Sequence, residues 1–211
     1  MSVMKLENIS KKFGEKTIFE GFSIEIQQGD YVSIMGESGR GKTTLLNILG
    51  MLEAPDSGNV IICGKKNPKF ISRATRNMRR KKISYLFQNY GLIDTDTVEE
   101  NLKLVLKYKR ETAGERNRNI AAALKQVGLS GFEKRKIFTL SGGEQQRVAL
   151  AKIILKNPQI ILADEPTGSL DSKNRDYVLN ILEELNKKGK TIVVVTHDKE
   201  VAKCAHLSVQ L

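Results

Sequence analysis

The sequence predicts an α/β fold around a mainly parallel sheet, on the strength of three features. Short apolar runs alternate with helical patterns, a glycine-rich turn joins one such run to the helix after it, and charged, helix-prone sequence interrupts the alternation in mid-chain.

Taken in order, the N-terminal third alternates apolar and polar residues, as in Phe22-Ser23-Ile24-Glu25-Ile26, and reads as strands with one wet face. Tyr31 to Met35, Ile160 to Ala163 and Thr191 to Thr196 are short and mostly apolar, the pattern of strands buried on both faces of a parallel sheet. A helical pattern follows each of them: Lys42 to Met51, Ser172 to Lys188, and a short Asp198 to Lys203. In such a sheet, functional residues gather at the carboxyl ends of the strands. From about Leu92 to Lys136 no strand candidate appears, so 92–136 is read as an inserted helical subdomain. That leaves 1–91 and 137–211 as the core of one domain spanning 1–211, with no Gly/Ser tract to serve as a linker.

Composition narrows the class. Of 211 residues, 40% are hydrophobic and 28% charged, which excludes disordered and fibrous chains. No apolar run approaches the ~18 residues of a membrane helix, and the start Met1-Ser2-Val3-Met4-Lys5-Leu6-Glu7 lacks a signal-peptide stretch. The expectation is a chain that neither spans a membrane nor is exported. Cys63 and Cys204 stand far apart with no metal-type spacing, as in a reduced cytoplasmic protein. Lys+Arg 35 against Asp+Glu 24 gives +11, which leaves nucleic acid, an anionic membrane surface or a phosphate-bearing ligand as partners.

Gly36-Glu37-Ser38-Gly39-Arg40-Gly41-Lys42-Thr43 fits G-x-x-x-x-G-K-[ST], directly after a strand and before a helix. Glycines let backbone N–H groups approach phosphate oxygens, and the helix N-terminus adds a favourable dipole. Lys42 would neutralise β/γ-phosphate charge and the Thr43 hydroxyl would ligate Mg²⁺, with Thr44 completing the cradle. Nucleotide binding is the expectation.

The apolar strand Ile160 to Ala163 ends in Asp164-Glu165, and Pro166 stops sheet pairing. Two carboxylates at a buried strand end need compensating cations. Successive strand residues face opposite ways, so Asp164 can turn toward the Mg²⁺ shell and Glu165 toward an attacking water as general base. Further on, Leu140-Ser141-Gly142-Gly143-Glu144-Gln145-Gln146-Arg147 opens an amphipathic helix. Ser141 and Glu144 fit a capping box, but two successive glycines in a first helical turn imply that something approaches the backbone closely. A second anion-binding helix end is the functional reading.

Phosphate loop, Leu-Ser-Gly-Gly-Glu at 140–144 and aliphatic-Asp-Glu strand, in this order, resemble the ATP-binding-cassette ATPases over essentially the whole chain. The resemblance implies that family's fold: a mainly parallel core sheet, an N-terminal antiparallel β-subdomain and an inserted helical subdomain. It implies a homodimer closed head to tail around two ATP, in which Ser141, Gly142, Gly143 and Glu144 of one subunit cap the ATP held by the other. It also implies roles residue by residue. Phe13 stacks on adenine, Gln88 senses Mg²⁺ and the membrane partner, and Ser169-Leu170-Asp171 crosses the dimer interface. His197 contacts the γ-phosphate. The catalytic set is then Glu165, His197, Lys42 and Gln88, and the metal ligands are Thr43, Gln88 and Asp164.

By the same resemblance the cassette works on separate transmembrane permease chains, from the cytoplasmic side and peripherally on the inner face of the cell membrane. Phe87-Gln88-Asn89-Tyr90-Gly91-Leu92-Ile93 and the unbroken Leu162 to Asp171 are most similar to the lipoprotein-release, macrolide-export and antimicrobial-peptide subfamily. Export of, or resistance to, a bacteriocin or antimicrobial peptide is the expected task. A cell-division-type or lipoprotein-release cassette is the alternative. A nucleic-acid ATPase, supported by the basic run Arg73, Arg76, Arg79, Arg80, Lys81 and Lys82, is the minority reading.

Overall fold

The computed structural model describes residues 1–168 and 170–211; Ser169, expected at a dimer interface, lies outside them. In chain order the elements are β1 (Ser2–Phe13), β2 (Lys16–Gln27), β3 (Tyr31–Met35), α1 (Lys42–Leu49), β4 (Ser57–Ile62), β5 (Lys65–Lys66), α2 (Arg73–Lys82), β6 (Ile83–Leu86), α3 (Val98–Leu106) and α4 (Ala113–Gln126). There follow α5 (Gly142–Lys156), β7 (Ile160–Asp164), α6 (Ser172–Lys187), β8 (Thr191–Thr196), α7 (Lys199–Lys203) and β9 (Leu207–Gln210).

These strands form two sheets: a four-stranded antiparallel one in the order β2-β1-β4-β5 and a five-stranded parallel one in the order β6-β7-β8-β3-β9. The three apolar runs occupy the middle of the parallel sheet, where both faces are covered. Their side chains alternate accordingly. Ile160, Leu162, Val193, Val195, Val32 and Ile34 pack with α1 and the antiparallel sheet, whereas Ile161, Ala163, Ile192 and Val194 pack with α3, α5 and α6. The antiparallel sheet keeps one wet face, with exposed Ser23 and Glu25 alternating with half-buried Phe22 and Ile24 and buried Ile26.

Two helices, α3 and α4, occupy the mid-chain stretch, and an isolated antiparallel bridge between Thr97 and Lys136 ties its ends together. Each begins with a Thr-x-x-Glu capping box, Thr97 with Glu100 and Thr112 with Glu115, so their starts are locally encoded. Among the described residues no helix is long and apolar enough to cross a membrane. Both cysteines are free thiols. The basic run proves to be the helix α2, capped by Ser72, with Arg79, Arg80, Lys81 and Lys82 in its last turn where they complement the helix dipole.

Candidate functional site

The carboxyl ends of β3, β7 and β8 converge on one cleft of about 520 Å³. Its floor is the turn from β3 into α1. Gly41 at the helix N-cap has φ 91, a left-handed conformation, and a Cβ there would lie 2.3 Å from the Ile18 methyl and 2.9 Å from the Phe19 ring. Among the described residues α1 is the one α-helix with no side-chain cap and no acidic residue in its first turn; Ser72, Thr97, Thr112, Ser141, Asp171 and Asp198 cap the other six. Its free N–H groups therefore form an anion seat. The Lys42 ammonium folds back over the loop and donates to the Gly36 carbonyl at 2.7 Å and the Glu37 carbonyl at 3.0 Å. Glu37 and Arg40 are exposed and face each other across 4.0 Å.

Opposite the loop stand the two carboxylates. Burial raises the pKa of Asp164, a hydrogen bond from Thr43 and the charge of Lys42 oppose the rise, and the neighbouring Glu165 charge adds to it. Glu165 has φ 43, a strained value for a side-chain-bearing residue. Its Oε1 lies 2.8 Å from His197 Nδ1 and accepts from the His197 backbone N–H at 3.1 Å, while Oε2 accepts from the Thr196 hydroxyl at 3.1 Å. Phe13, Ser38, Gly39, Thr44 and Gln88 also line the cleft, with Lys11 Nζ 5.0 Å from the centre of the Phe13 ring. One cleft thus offers an anion seat, hard oxygen ligands, an exposed aromatic and a fixed carboxylate.

Comparison with known proteins agrees. The ABC transporter family model matches residues 19–168. The chain belongs to the ABC transporter family. It is 44% identical to the uncharacterized ABC transporter ATP-binding protein MJ0796 of Methanocaldococcus jannaschii, over 95% of this chain and 89% of that one. It is also 39% identical to the macrolide export ATP-binding/permease protein MacB of Mannheimia succiniciproducens and 42% identical to that of Campylobacter jejuni. These alignments take in 100% and 93% of this chain but 33% and 31% of the two relatives, so the chain spans about a third of their length. Among solved structures, dimeric MJ0796 bound to ADP and Pi superposes with a TM-score of 0.90 at 40% identity, covering 99% of this chain and 94% of that one.

The ABC cassette carries the family's ATPase, with ATP and Mg²⁺ as its nucleotide and ion. Of the phosphate loop, Gly36, Glu37 and Arg40 do not line the cleft, and neither do Ser141, Gly142, Gly143 and Glu144, expected at the other subunit's ATP, or Asp171, expected at the dimer interface. Ser141 and Glu144 close a capping box on α5, the Glu144 carboxylate accepting from the Ser141 N–H at 2.8 Å, which lowers its pKa. Asp171 caps α6 by accepting from the Asn174 N–H at 2.9 Å, which lowers its pKa as well. The close approach expected at the paired glycines occurs within the chain: a Cβ on Gly142 would lie 2.9 Å from the Tyr90 hydroxyl, and one on Gly143 2.6 Å from Asn174 Cγ. The Tyr90 contact is with the end of a side chain, and the Asn174 contact is with a side chain tied to Arg147 and Asp171.

Lys16 and Ile18 also line the cleft, although no motif in the sequence marks them. The signal for Lys16 is the hairpin turn at Gly14, which pairs Phe13 with Lys16 across the strands and brings the ammonium beside the loop at Gly39.

Proposed function

We propose that this chain is the ATP-hydrolysing motor of a transporter whose permease is carried on separate chains, and that two copies close head to tail around two ATP. The observation that carries it is the uncapped N-terminus of α1 facing the Glu165–His197 pair across one cleft. The α1 amides and Lys42 hold the phosphates, Phe13 stacks on the adenine, and Gly36 to Thr44 form the cradle. Thr43, Asp164 and Gln88 are hydroxyl, carboxylate and amide oxygen donors that fit Mg²⁺. When bound, the ion supplies charge neutralisation at the phosphates. Among the described residues no group of three His, Cys, Asp or Glu could hold a metal, consistent with an ion that shares its shell with phosphate and water.

Glu165 accepts the proton of the water that attacks the γ-phosphorus, as the bond from that phosphorus to the bridging oxygen of ADP breaks. Its three hydrogen-bond contacts at His197 and Thr196 hold it in one orientation beforehand, and His197, exposed, presents its ring to the γ-phosphate. The Ser141–Glu144 segment, outside its own chain's cleft, is free to meet the nucleotide of the partner. Glu165→Gln tests the reading: with ATP it yields a stable dimer by sizing chromatography, and monomeric behaviour of that variant under saturating ATP sinks the mechanism.

A groove of about 430 Å³ beside Phe87 and Gly91 supports a permease partner. It is lined by Leu52, Tyr85, Phe87 and Val105 together with Arg79, Arg80, Lys152 and Lys156, and, among the described residues, by no carboxylate. Burial lowers the pKa of both lysines, so the docked permease segment brings an acid. Similarity to macrolide exporters supports a cargo with antimicrobial activity, and we place an antimicrobial peptide first. The cassette works peripherally on the cytoplasmic membrane surface. Nucleic acid is the minority reading: two cations of the basic run are turned to the chain itself, Arg79 donating to the Met51 carbonyl and Arg80 stacking on Tyr108, where they border the permease groove.

A further inference from the structure

In the second turn of α5, Gln146 is 1% exposed, and its Nε2 donates to the Pro166 carbonyl at 2.6 Å. Among the described residues its Oε1 is buried without a hydrogen-bond partner. An unpaired buried acceptor costs stability, and an apolar side chain of the same length would avoid that cost. The bond from the amide nitrogen lands on the residue directly after Glu165, at the start of a turn closed by the Gly168 N–H to the Glu165 carbonyl at 3.2 Å. That turn holds Glu165 at its left-handed φ of 43. A second tie runs from the same helix. Asn174 packs on Gly143, bonds to Arg147 and donates to Asp171 at 2.6 Å, so α5 grips the chain at both 166 and 174.

We infer that Gln146 is a positioning residue that makes the N-terminal end of α5 and the Glu165 turn move as one body. The inference rests on the functional reading above, in which the Ser141–Glu144 end of α5 meets the partner's nucleotide. Closure on one ATP then sets the water-activating carboxylate at the other, and the two sites fire in concert without any shared ligand.

The test compares Gln146→Met and Gln146→Glu with the wild-type chain. Methionine removes the donor and the unpaired acceptor together, leaving the Pro166 carbonyl unpaired in exchange, so the thermal midpoint stays near that of wild type. Glutamate keeps length and acceptor and, buried here, donates to the Pro166 carbonyl only while protonated, so its effect is read at the alkaline end of the assay range. Both variants are expected to lower kcat for ATP hydrolysis by on the order of 10- to 100-fold, with KM for ATP within about two-fold. In the methionine variant, amide hydrogen exchange speeds up at Gly168 and Leu170 and is unchanged at Val194. Unaltered kcat with unaltered exchange overturns the inference, as does a joint fall of kcat, affinity and thermal midpoint in that variant. A wild-type chain that hydrolyses no ATP refutes the functional reading, while the exchange measurement still decides whether the tie exists.

Discussion

His197 approaches Glu165 twice, its ring Nδ1 2.8 Å from Oε1 and its backbone N–H donating to the same oxygen at 3.1 Å. One contact is side chain and one is main chain, so loss of the imidazole leaves the carboxylate partly held. The Glu165 side chain is 14% exposed while that of His197 is 68% exposed, which makes the ring the member free to turn toward a ligand. Glu165→Gln and His197→Ala are each expected to lower single-turnover ATP hydrolysis on the order of 10²- to 10³-fold. The two act on one event, so the double variant falls well short of the product of the single losses. Multiplicative losses would show that the pair does not act as a unit.

Asp164 carries a pKa raised above its ordinary 3.8, chiefly by burial. The folded ligand-free chain therefore holds this proton more tightly than the unfolded chain. The stability it contributes is present at low pH and lost as pH rises through the folded value. At neutral pH the ionised, half-buried carboxylate is a cost borne for ion binding. Asp164→Asn is expected to raise the thermal midpoint of the ligand-free chain at about pH 7 and to abolish the further gain that MgATP gives the wild type. Calorimetry with and without MgATP checks both, and a lowered midpoint in the ligand-free variant contradicts the assignment.

What the sequence disclosed depended on how local each signal was. Strands β3, β7 and β8 are continuous apolar runs, and Lys42, Thr43, Asp164 and Glu165 sit at their ends, so both strands and residues could be read together. Strand β6 carries no such local signal. Its four residues follow a run of basic ones, and they are buried by β7 and α5, which arrive some 60 to 80 residues later. Lys16 was illegible for the same kind of reason, since a hairpin register and not its neighbours in sequence carries it to the cleft. The paired glycines were legible as a close approach, but which atoms approach, Tyr90 and Asn174, depends on how α5 packs.

Phe13 is 50% exposed at the end of β1, an unusual place to leave a phenyl ring, and Lys11 holds one side of it. If it serves as a platform for a base, its removal weakens binding without touching the phosphate chemistry. Stacking on an aromatic is worth about 1–3 kcal/mol per base, so Phe13→Ala raises the dissociation constant for ATP roughly five-fold or more. The expected kinetic signature is a raised KM with kcat nearly unchanged. Phe13→Trp restores binding, and a fall in kcat at saturating ATP would point to a structural role for the ring.

Lys156 lies between the parallel sheet and the groove, its ammonium donating to the Ile83 carbonyl, and burial with the nearby Lys152 charge brings its pKa down to about 8. The unfolded lysine keeps its proton to far higher pH. Between the folded and unfolded values the unfolded state binds more protons, so stability of the free chain rises with pH across that window. Lys156→Met keeps the apolar stem and removes the charge. The variant is expected to melt higher than wild type at about pH 7 and to show a flatter rise toward about pH 9.5. A docked acid would offset the cost of this buried charge and reverse the balance, making the same variant bind a permease more weakly while it melts at a higher temperature. Paired melting curves and pull-downs of wild type and variant measure the two effects, and a variant less stable at neutral pH with undiminished permease binding would refute the electrostatic account of the groove.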